Sequence, residues 1–189
     1  MTYGQEEESV QERELEREPE WPDEGLPLGA ERRRELARRV REGKTVIRKS
    51  DRVREQRVQG LNRYYTASEL TDTVPTRWKC FTNEVRQHSG RHTHQGGPVI
   101  YVVKGRGYSI VDGVRMDWEA GDILMIPVKV GGVEHQHFNA DDSEPAVWCA
   151  FNYHAYKDAL DPQIKQKAAN ADWKGKREII PDEHEHGFD

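Results

Sequence analysis

Between about residues 45 and 155 the apolar residues come in short runs: "TVIRK", "VQGLNRYYT", "RWKCFTNEVRQ", "PVIYVVKG", "GYSIVDG", "RMDWEAGDILMIP", "HQHFN" and "AVWCAFNY". They are rich in β-branched and aromatic residues, are cut by Gly, Pro, Asp and Asn, and several recur about every ten residues. That texture predicts an antiparallel sandwich or barrel. Asp112-Gly113, set between two such runs, has the chemistry of a type I′ hairpin turn. "EAGD" at 119–122 reads as a second tight turn. The pattern differs at both ends. "AERRRELARRVREG" (30–43) spaces Leu36 and Val40 four apart, with Ala37 beside them and Gly43 as a stop, which predicts a helix within 29–44. Its apolar stripe is narrow and its arginines many, so it reads as a solvated surface helix, with a partner subunit as the alternative use of those arginines. Residues 1–28 read as a disordered or extended acidic segment ending in the linker-like "WPDEGLPLG" (21–29). Residues 156–189 read as a short helix, a loop and a charged tail. The barrel is thus expected over 45–155.

Composition narrows the class. The 189-residue chain is 34% hydrophobic and 33% charged, enough for one core with extensions outside it. The formal net charge is -5, which gives no support for nucleic-acid binding. Eight Glu against Arg13 and Arg17 concentrate the acidity in residues 1–20, and the remainder is close to neutral. Cys80 and Cys149 are far apart and neither has a CxxC partner, so they read as buried free thiols rather than a disulfide framework or a zinc site. No leader peptide and no membrane-length apolar run is visible, so a soluble cytoplasmic protein is expected.

Two short motifs carry chemistry. His92 and His94 lie in "SGRHTHQGGPVIYVVKGRG" (89–107), and His135 and His137 in "GDILMIPVKVGGVEHQHFN" (121–139). On a strand, residues i and i+2 face the same side, so each pair would point together into a barrel interior. Paired imidazoles are costly to bury without a partner, and a metal ion satisfies both.

The two segments in this order resemble the cupin motifs. The first is His-x-His, then a metal-binding Glu, then a closing Gly; the second is Gly, Pro, a further Gly, a His ligand and Asn. Here His92, His94 and Gly105 match the first, and Gly121, Pro127, His135 and Asn139 the second, over roughly residues 77–152. The sequence departs at four points. Pro98 occupies the Glu position, Arg86 stands where the leading Gly falls, and "VKVGGVE" (128–134) lengthens the approach to His135. Only one cupin unit is present. Loss of the Glu resembles the three-His subset, which includes gentisate and salicylate dioxygenases, thiol dioxygenases and a diketone-cleaving dioxygenase; the gentisate-type group is the most similar.

That resemblance implies a single jelly-roll-like β-barrel in an all-β fold, probed by a metal at His92, His94 and His135. Fe(II) is the expected cofactor, with Zn, Mn, Ni, Co or Cu as alternatives. Three neutral ligands leave the ion its full charge, which favours an anionic chelating substrate, with O2 as second substrate. The implied function is a non-haem Fe(II) dioxygenase cleaving a C–C bond of a small chelating anion, with a hydroxylated aromatic acid as the substrate. The alternatives are a metal-dependent isomerase, lyase or decarboxylase, and a small-molecule-binding cupin without turnover. The expected partners are the substrate and O2, with no nucleic acid or membrane, and a homodimer is implied. His137 would act as an acid/base or hydrogen-bond donor beside the metal, or as a structural hydrogen-bonding group. Gln95 is expected to touch substrate or supply a weak oxygen ligand. Ile100, with Val102, and Trp148 are expected to line the pocket. Arg77, Arg86 and Arg91 are the candidate carboxylate anchors, Arg106 reads as solvated and His88 as an exposed loop residue. His184 and His186 in the tail suggest at most adventitious metal binding.

Overall fold

The computed structural model describes residues 27–75, 77–95, 97–160 and 163–182. The acidic segment before residue 27 and the pair His184 and His186 lie outside the described residues. The chain opens with helix α1 (Pro27–Glu42). Ten strands follow: β1 (Arg54–Arg57), β2 (Gly60–Thr66), β3 (Trp78–Val85), β4 (Arg91–His94), β5 (Val99–Lys104), β6 (Arg106–Val111), β7 (Val114–Glu119), β8 (Ile123–Met125), β9 (Val133–Asn139) and β10 (Ala146–Tyr153). Helix α2 (His154–Leu160) and strands β11 (Ile164–Ala168) and β12 (Glu178–Ile180) complete it.

The strands form two antiparallel sheets. One has the order β12-β1-β2-β3-β10-β5-β8 and the other β11-β4-β9-β6-β7. They face each other in a jelly-roll-like arrangement that does not close into a continuous barrel. Period-2 alternation sets the core. Ile100 and Val102 on β5, Trp148 and Ala150 on β10, Val111 on β6 and Val133 on β9 all turn inward and are buried. Asp112 and Gly113, with φ 47° and 82°, form the two-residue turn of the β6–β7 hairpin, as their sequence requires.

Three segments depart from the sequence expectation. Residues 45–48 of "TVIRK" are not a strand; they lead into a single 3-10 turn (Lys49–Asp51) in which the Asp51 carboxylate accepts the Arg48 N–H at 2.8 Å. Helix α1 begins at Pro27, two residues before the expected span, and leaves Leu36 and Val40 38% and 61% exposed. The helix instead docks through Arg38, which donates to the Thr71 carbonyl at 3.1 Å, and through the buried Arg39, held by Glu35 at 2.7 Å. Gly43 does end the helix, since a side chain there would meet the Arg39 carbonyl and the Val74 backbone. The third departure is the C-terminal region. "IKQKA" and "EII" are strands, not tail, and the charged "REQR" is a strand as well. β11 and β12 are edge strands, and edges tolerate charged side chains that erase the apolar alternation. β1 lies between β12 and β2, and buries Glu55 against Arg57 and Arg177, with Gln56 donating to Asn170 Oδ1 at 2.9 Å.

β11 has a consequence for the histidines. It pairs with β4 through Ile164–His94 and Gln166–His92. The strand carrying the first histidine pair is therefore held on both sides. The two cysteines also depart from expectation: they are half-buried rather than buried and lie on the neighbouring strands β3 and β10, with Sγ atoms 3.7 Å apart.

Gly107 marks the tightest packing on β6. A Cβ there would fall 2.1 Å from the Phe138 carbonyl oxygen and 2.4 Å from the Trp118 ring. Gly107→Val is expected to destabilise the fold by about 2–3 kcal/mol through overpacking, read as a lower urea midpoint with unchanged m-value.

Candidate metal centre

The site is built on one pair of strands. His92 and His94 occupy the inward positions of β4, and His135 and His137 those of β9. The β4–β9 ladder sets His92 opposite His135 and His94 opposite Val133. The long spacing before His135 is absorbed in a turn in which Gly131 and Gly132 take φ 84° and 89°, and the Gly132 N–H donates to the Lys129 carbonyl. A Cβ on Gly132 would lie 2.9 Å from Thr93 Cγ2, so glycine lets the turn close onto β4.

The three rings converge. His92–His135, His94–His135 and His92–His94 ring centroids are 4.3, 4.8 and 5.2 Å apart. One nitrogen from each lies within 4.8 Å of the others. His92 Nδ1 is 3.2 Å from the Gly90 carbonyl and His94 Nδ1 is 2.8 Å from the Gln95 carbonyl. A carbonyl only accepts, so those Nδ1 atoms carry the hydrogen and each Nε2 keeps its lone pair, the usual way a ligating histidine is oriented. His135 Nδ1 is buried without a partner. Among the described residues no carboxylate joins the cluster. Pro98, at the position of the family's Glu, is buried and lines the same cavity.

Protonation favours a metal. Burial pushes His135 well below the ordinary imidazole value, and the neighbouring imidazoles add to the shift. Burial, followed by His92 and His94, pushes His137 down to about 3. Uncharged imidazoles crowded at this spacing are a donor set that suits a first-row transition ion.

His137 differs from the three. Its Nδ1 is 2.7 Å from Ser109 Oγ, and the Trp118 indole N–H donates to the same oxygen at 2.9 Å. Ser109 is fully buried, the indole can only donate to it, and among the described residues His137 Nδ1 is the acceptor in reach of its hydroxyl hydrogen, so Ser109 donates to His137 Nδ1. That assigns the His137 proton to Nε2. The ring also lies 5.1 Å from Trp148, and the His137 backbone N–H donates to Ser89 Oγ at 2.9 Å.

A cavity of about 50 Å³ adjoins the histidines, with Pro98, Ile100, Trp148 and Phe81 among its apolar walls. Ile100, Trp148 and His137 line this cavity. Val102 is buried in a separate cluster with Trp118 and Ala146. Gln95 is not at the cavity: strand alternation turns it away from His94, and its amide, oriented to satisfy both neighbours, meets the Lys129 carbonyl and the Gly131 N–H at 3.2 Å each. None of Arg77, Arg86 or Arg91 lines the cavity; Arg91 instead sits 3.7 Å from Glu134. His88 is half-buried, with its Nδ1 3.2 Å from the Gln136 amide nitrogen.

The cationic residue that does line the cavity is Lys79, directly opposite Asn152 across the β3–β10 ladder. Asn83, opposite Trp148, lines it too. Sequence reasoning missed all three. In "RWKCFTNEV" either parity offers large apolar residues, Trp78 and Cys80 on one side and Phe81 and Val85 on the other, and the structure turns the second set inward, with Val85 buried and Phe81 partly so. Four of the five buried polar side-chain atoms lacking a partner among the described residues belong to this cavity: Asn83 Oδ1, Asn152 Oδ1, Trp148 Nε1 and His135 Nδ1. Buried polar groups are normally satisfied, so their gathering here fits a site that binds a polar ligand and an ion.

A double antiparallel sheet enclosing a three-histidine cluster defines the class, and the comparisons agree. Residues 81–152 match the cupin domain family. Over those residues the chain is similar to cupin domains, and His92, His94, His135 and His137 all lie within them. Among solved structures it is similar to a cupin-like protein of Thermotoga maritima (17% identity, covering 61% of this chain and 80% of that one, TM-score 0.45). It is similar to a variant of salicylate 1,2-dioxygenase from Pseudoaminobacter salicylatoxidans in complex with gentisate (16% identity, 56% of this chain but 28% of that one, TM-score 0.46). It also shares its fold with Pac13, a Streptomyces nucleoside dehydratase (11% identity, 68% and 94% covered, TM-score 0.50). No curated protein matches the sequence. Among the described residues no helix is long and apolar enough to cross a membrane.

The buried imidazoles make stability depend on pH. Above about pH 6.5 the His137 ring is neutral in both folded and unfolded chains. Below it only the unfolded chain takes the proton, until the folded ring titrates near 3. Metal-free protein is therefore expected to lose stability as pH falls through this window, by up to about 1.4 kcal/mol per pH unit for each such ring. Melting temperature against pH should fall less steeply in His137→Gln than in the wild type.

Proposed function

We propose that the protein is a non-haem Fe(II) dioxygenase that breaks a C–C bond in a small chelating anion, a hydroxylated aromatic acid being the preferred substrate class. The observation that carries this reading is the all-imidazole donor set, with Pro98 where a carboxylate would stand. His92, His94 and His135 would hold the ion as a neutral facial set, leaving its charge undiminished and positions open for a bidentate substrate and O2. Bound Fe(II) supplies the redox chemistry that couples the chelated substrate to O2.

The chain's own residues bind and orient the substrate. Lys79 is the cation placed to attract its carboxylate. Phe81, Trp148 and Ile100 offer apolar surface to a single ring and keep water away. Asn83 Oδ1 and Asn152 Oδ1 accept hydrogen bonds from ligand hydroxyls, and the Trp148 indole N–H donates. His137, its tautomer set by Ser109 and Trp118, offers an Nε2–H as a hydrogen-bond donor rather than a lone pair. It would serve the site as a donor to developing negative charge, not as a fourth ligand.

The test is O2 consumption by iron-loaded protein across aromatic hydroxy acids, diols, diketones and thiols. The expected outcome is O2 uptake stoichiometric with ring opening of an aromatic hydroxy acid, both oxygen atoms appearing in an acyclic oxo-dicarboxylic acid. Turnover that proceeds equally without O2 would replace this reading by the isomerase, lyase or decarboxylase alternative, and ligand binding without turnover by a binding cupin. Lys79→Met is expected to raise KM for an acid substrate about tenfold or more with a smaller change in kcat, the loss of a charge-assisted contact. A neutral analogue of the same ring should show little change.

A further inference from the structure

The cysteines lie on the side of the β3–β10 pair opposite the cavity. β3 turns Lys79, Phe81 and Asn83 inward and Cys80 outward; β10 turns Trp148, Ala150 and Asn152 inward and Cys149 outward. Cys80 is paired in register with Phe151, and Cys149 with Thr82. The thiols are therefore diagonal neighbours on adjacent antiparallel strands, and their sulfurs stand 3.7 Å apart. Strand twist brings one diagonal of such a ladder close. Both thiols are half-buried, so small oxidants reach them. Phe151, and Tyr101 opposite Cys149 on β5, flank the pair and remain 42% and 43% exposed.

We propose that Cys80 and Cys149 are a reversible oxidation site, forming an intramolecular disulfide with a hydroperoxide as oxidant. The pair is poised for a division of labour. The Cys149 thiol, by hydrogen bonding to the Cys80 sulfur, holds Cys80 below the ordinary thiol value, so Cys80 is the first nucleophile. The Cys80 sulfur attacks the peroxide; the O–O bond breaks, a sulfenic acid forms on Cys80, and the other oxygen leaves as water or alcohol. The Cys149 sulfur then attacks the Cys80 sulfur. The S–S bond forms, the S–O bond breaks, and the hydroxyl leaves with the Cys149 proton as a second water. Two thiols are oxidised by two electrons and one peroxide is reduced.

The position gives the bond a consequence. Closing sulfurs from 3.7 Å to about 2 Å draws together the two strands. Their next residues, Lys79 and Phe81 on one and Trp148 and Ala150 on the other, are cavity wall. The disulfide is thus a clamp on the outer side of the wall that faces the histidines, independent of which ligand the cavity takes.

The experiment treats reduced full-length protein with stoichiometric hydrogen peroxide, quenches with an alkylating reagent, and maps peptides without reduction. The expected result is loss of both free thiols, a mass lower by two hydrogens, and one linked peptide joining Cys80 to Cys149 in a monomeric chain, all reversed by dithiothreitol. In Cys149→Ser a sulfenic acid should accumulate on Cys80 and be captured by dimedone. In Cys80→Ser, capture on Cys149 should be about tenfold slower. Both thiols still titratable after treatment, irreversible sulfinic acid, or disulfides only between molecules would overturn the proposal. Equal capture in the two variants would overturn the order of attack. The mapping on unmodified protein stands even if a variant fails to fold.

Discussion

The structure depends on a single stretch of backbone pairing, the ladder between β4 and β9. It sets His92 against His135 and brings His94 beside them. A slip of one residue on either strand would turn its histidines to the opposite face and dissolve the site. The register is held by several independent devices. Gly131 and Gly132 close the turn onto β4, β11 covers the other edge of β4, and Ser89 stitches the preceding loop to His137 with two hydrogen bonds at 2.8 and 2.9 Å. The chemistry of the centre is thus a product of hydrogen-bonded register before it is a property of the histidines.

Burial then turns three rings into one donor set. Removed from water and crowded by its neighbours, His135 is pushed well below the ordinary imidazole value. The Gly90 and Gln95 carbonyls choose which nitrogen of His92 and His94 stays free. Ser109 and Trp118 make the opposite choice for His137. Two chemically identical side chains on one face of β9 are thereby differentiated, His135 toward an ion and His137 toward hydrogen-bond donation. The differentiation rests on Gly107, whose missing side chain lets Trp118 settle against β6 within reach of Ser109.

Much of this was legible in the sequence, for physical reasons. The β-branched and aromatic runs of β5, β6, β9 and β10 marked them as strands, and their burial alternates because one face meets the core; the Asp112-Gly113 turn is dictated by positive φ. His-x-His on two such strands had to converge if the strands paired. What escaped notice lay where alternation fails. β1, β11 and β12 are polar strands, so "REQR" gave no strand signal and "IKQKA" read as part of the loop and tail. β3 has large apolar residues on both faces, so the inward set of Lys79, Phe81 and Asn83 was not distinguishable from Trp78 and Cys80; Lys79 lines the cavity, and Arg77, Arg86 and Arg91 do not. Gln95 was misplaced for a simpler reason: it is one residue past His94 and so faces the other way. The approach of Cys80 to Cys149 is a tertiary fact, since 69 residues separate them and only the β3–β10 register joins them.

The central claim is that His92, His94 and His135 together hold one transition-metal ion and that His137 does not. The most direct measurement is the metal content of protein from iron-supplemented cells, compared across wild type, His135→Ala and His137→Gln. Near-stoichiometric metal in the wild type and in His137→Gln, with loss in folded His135→Ala, is the predicted result. Metal retained in His135→Ala, or absent from the wild type even after anaerobic loading with Fe(II), would contradict the account.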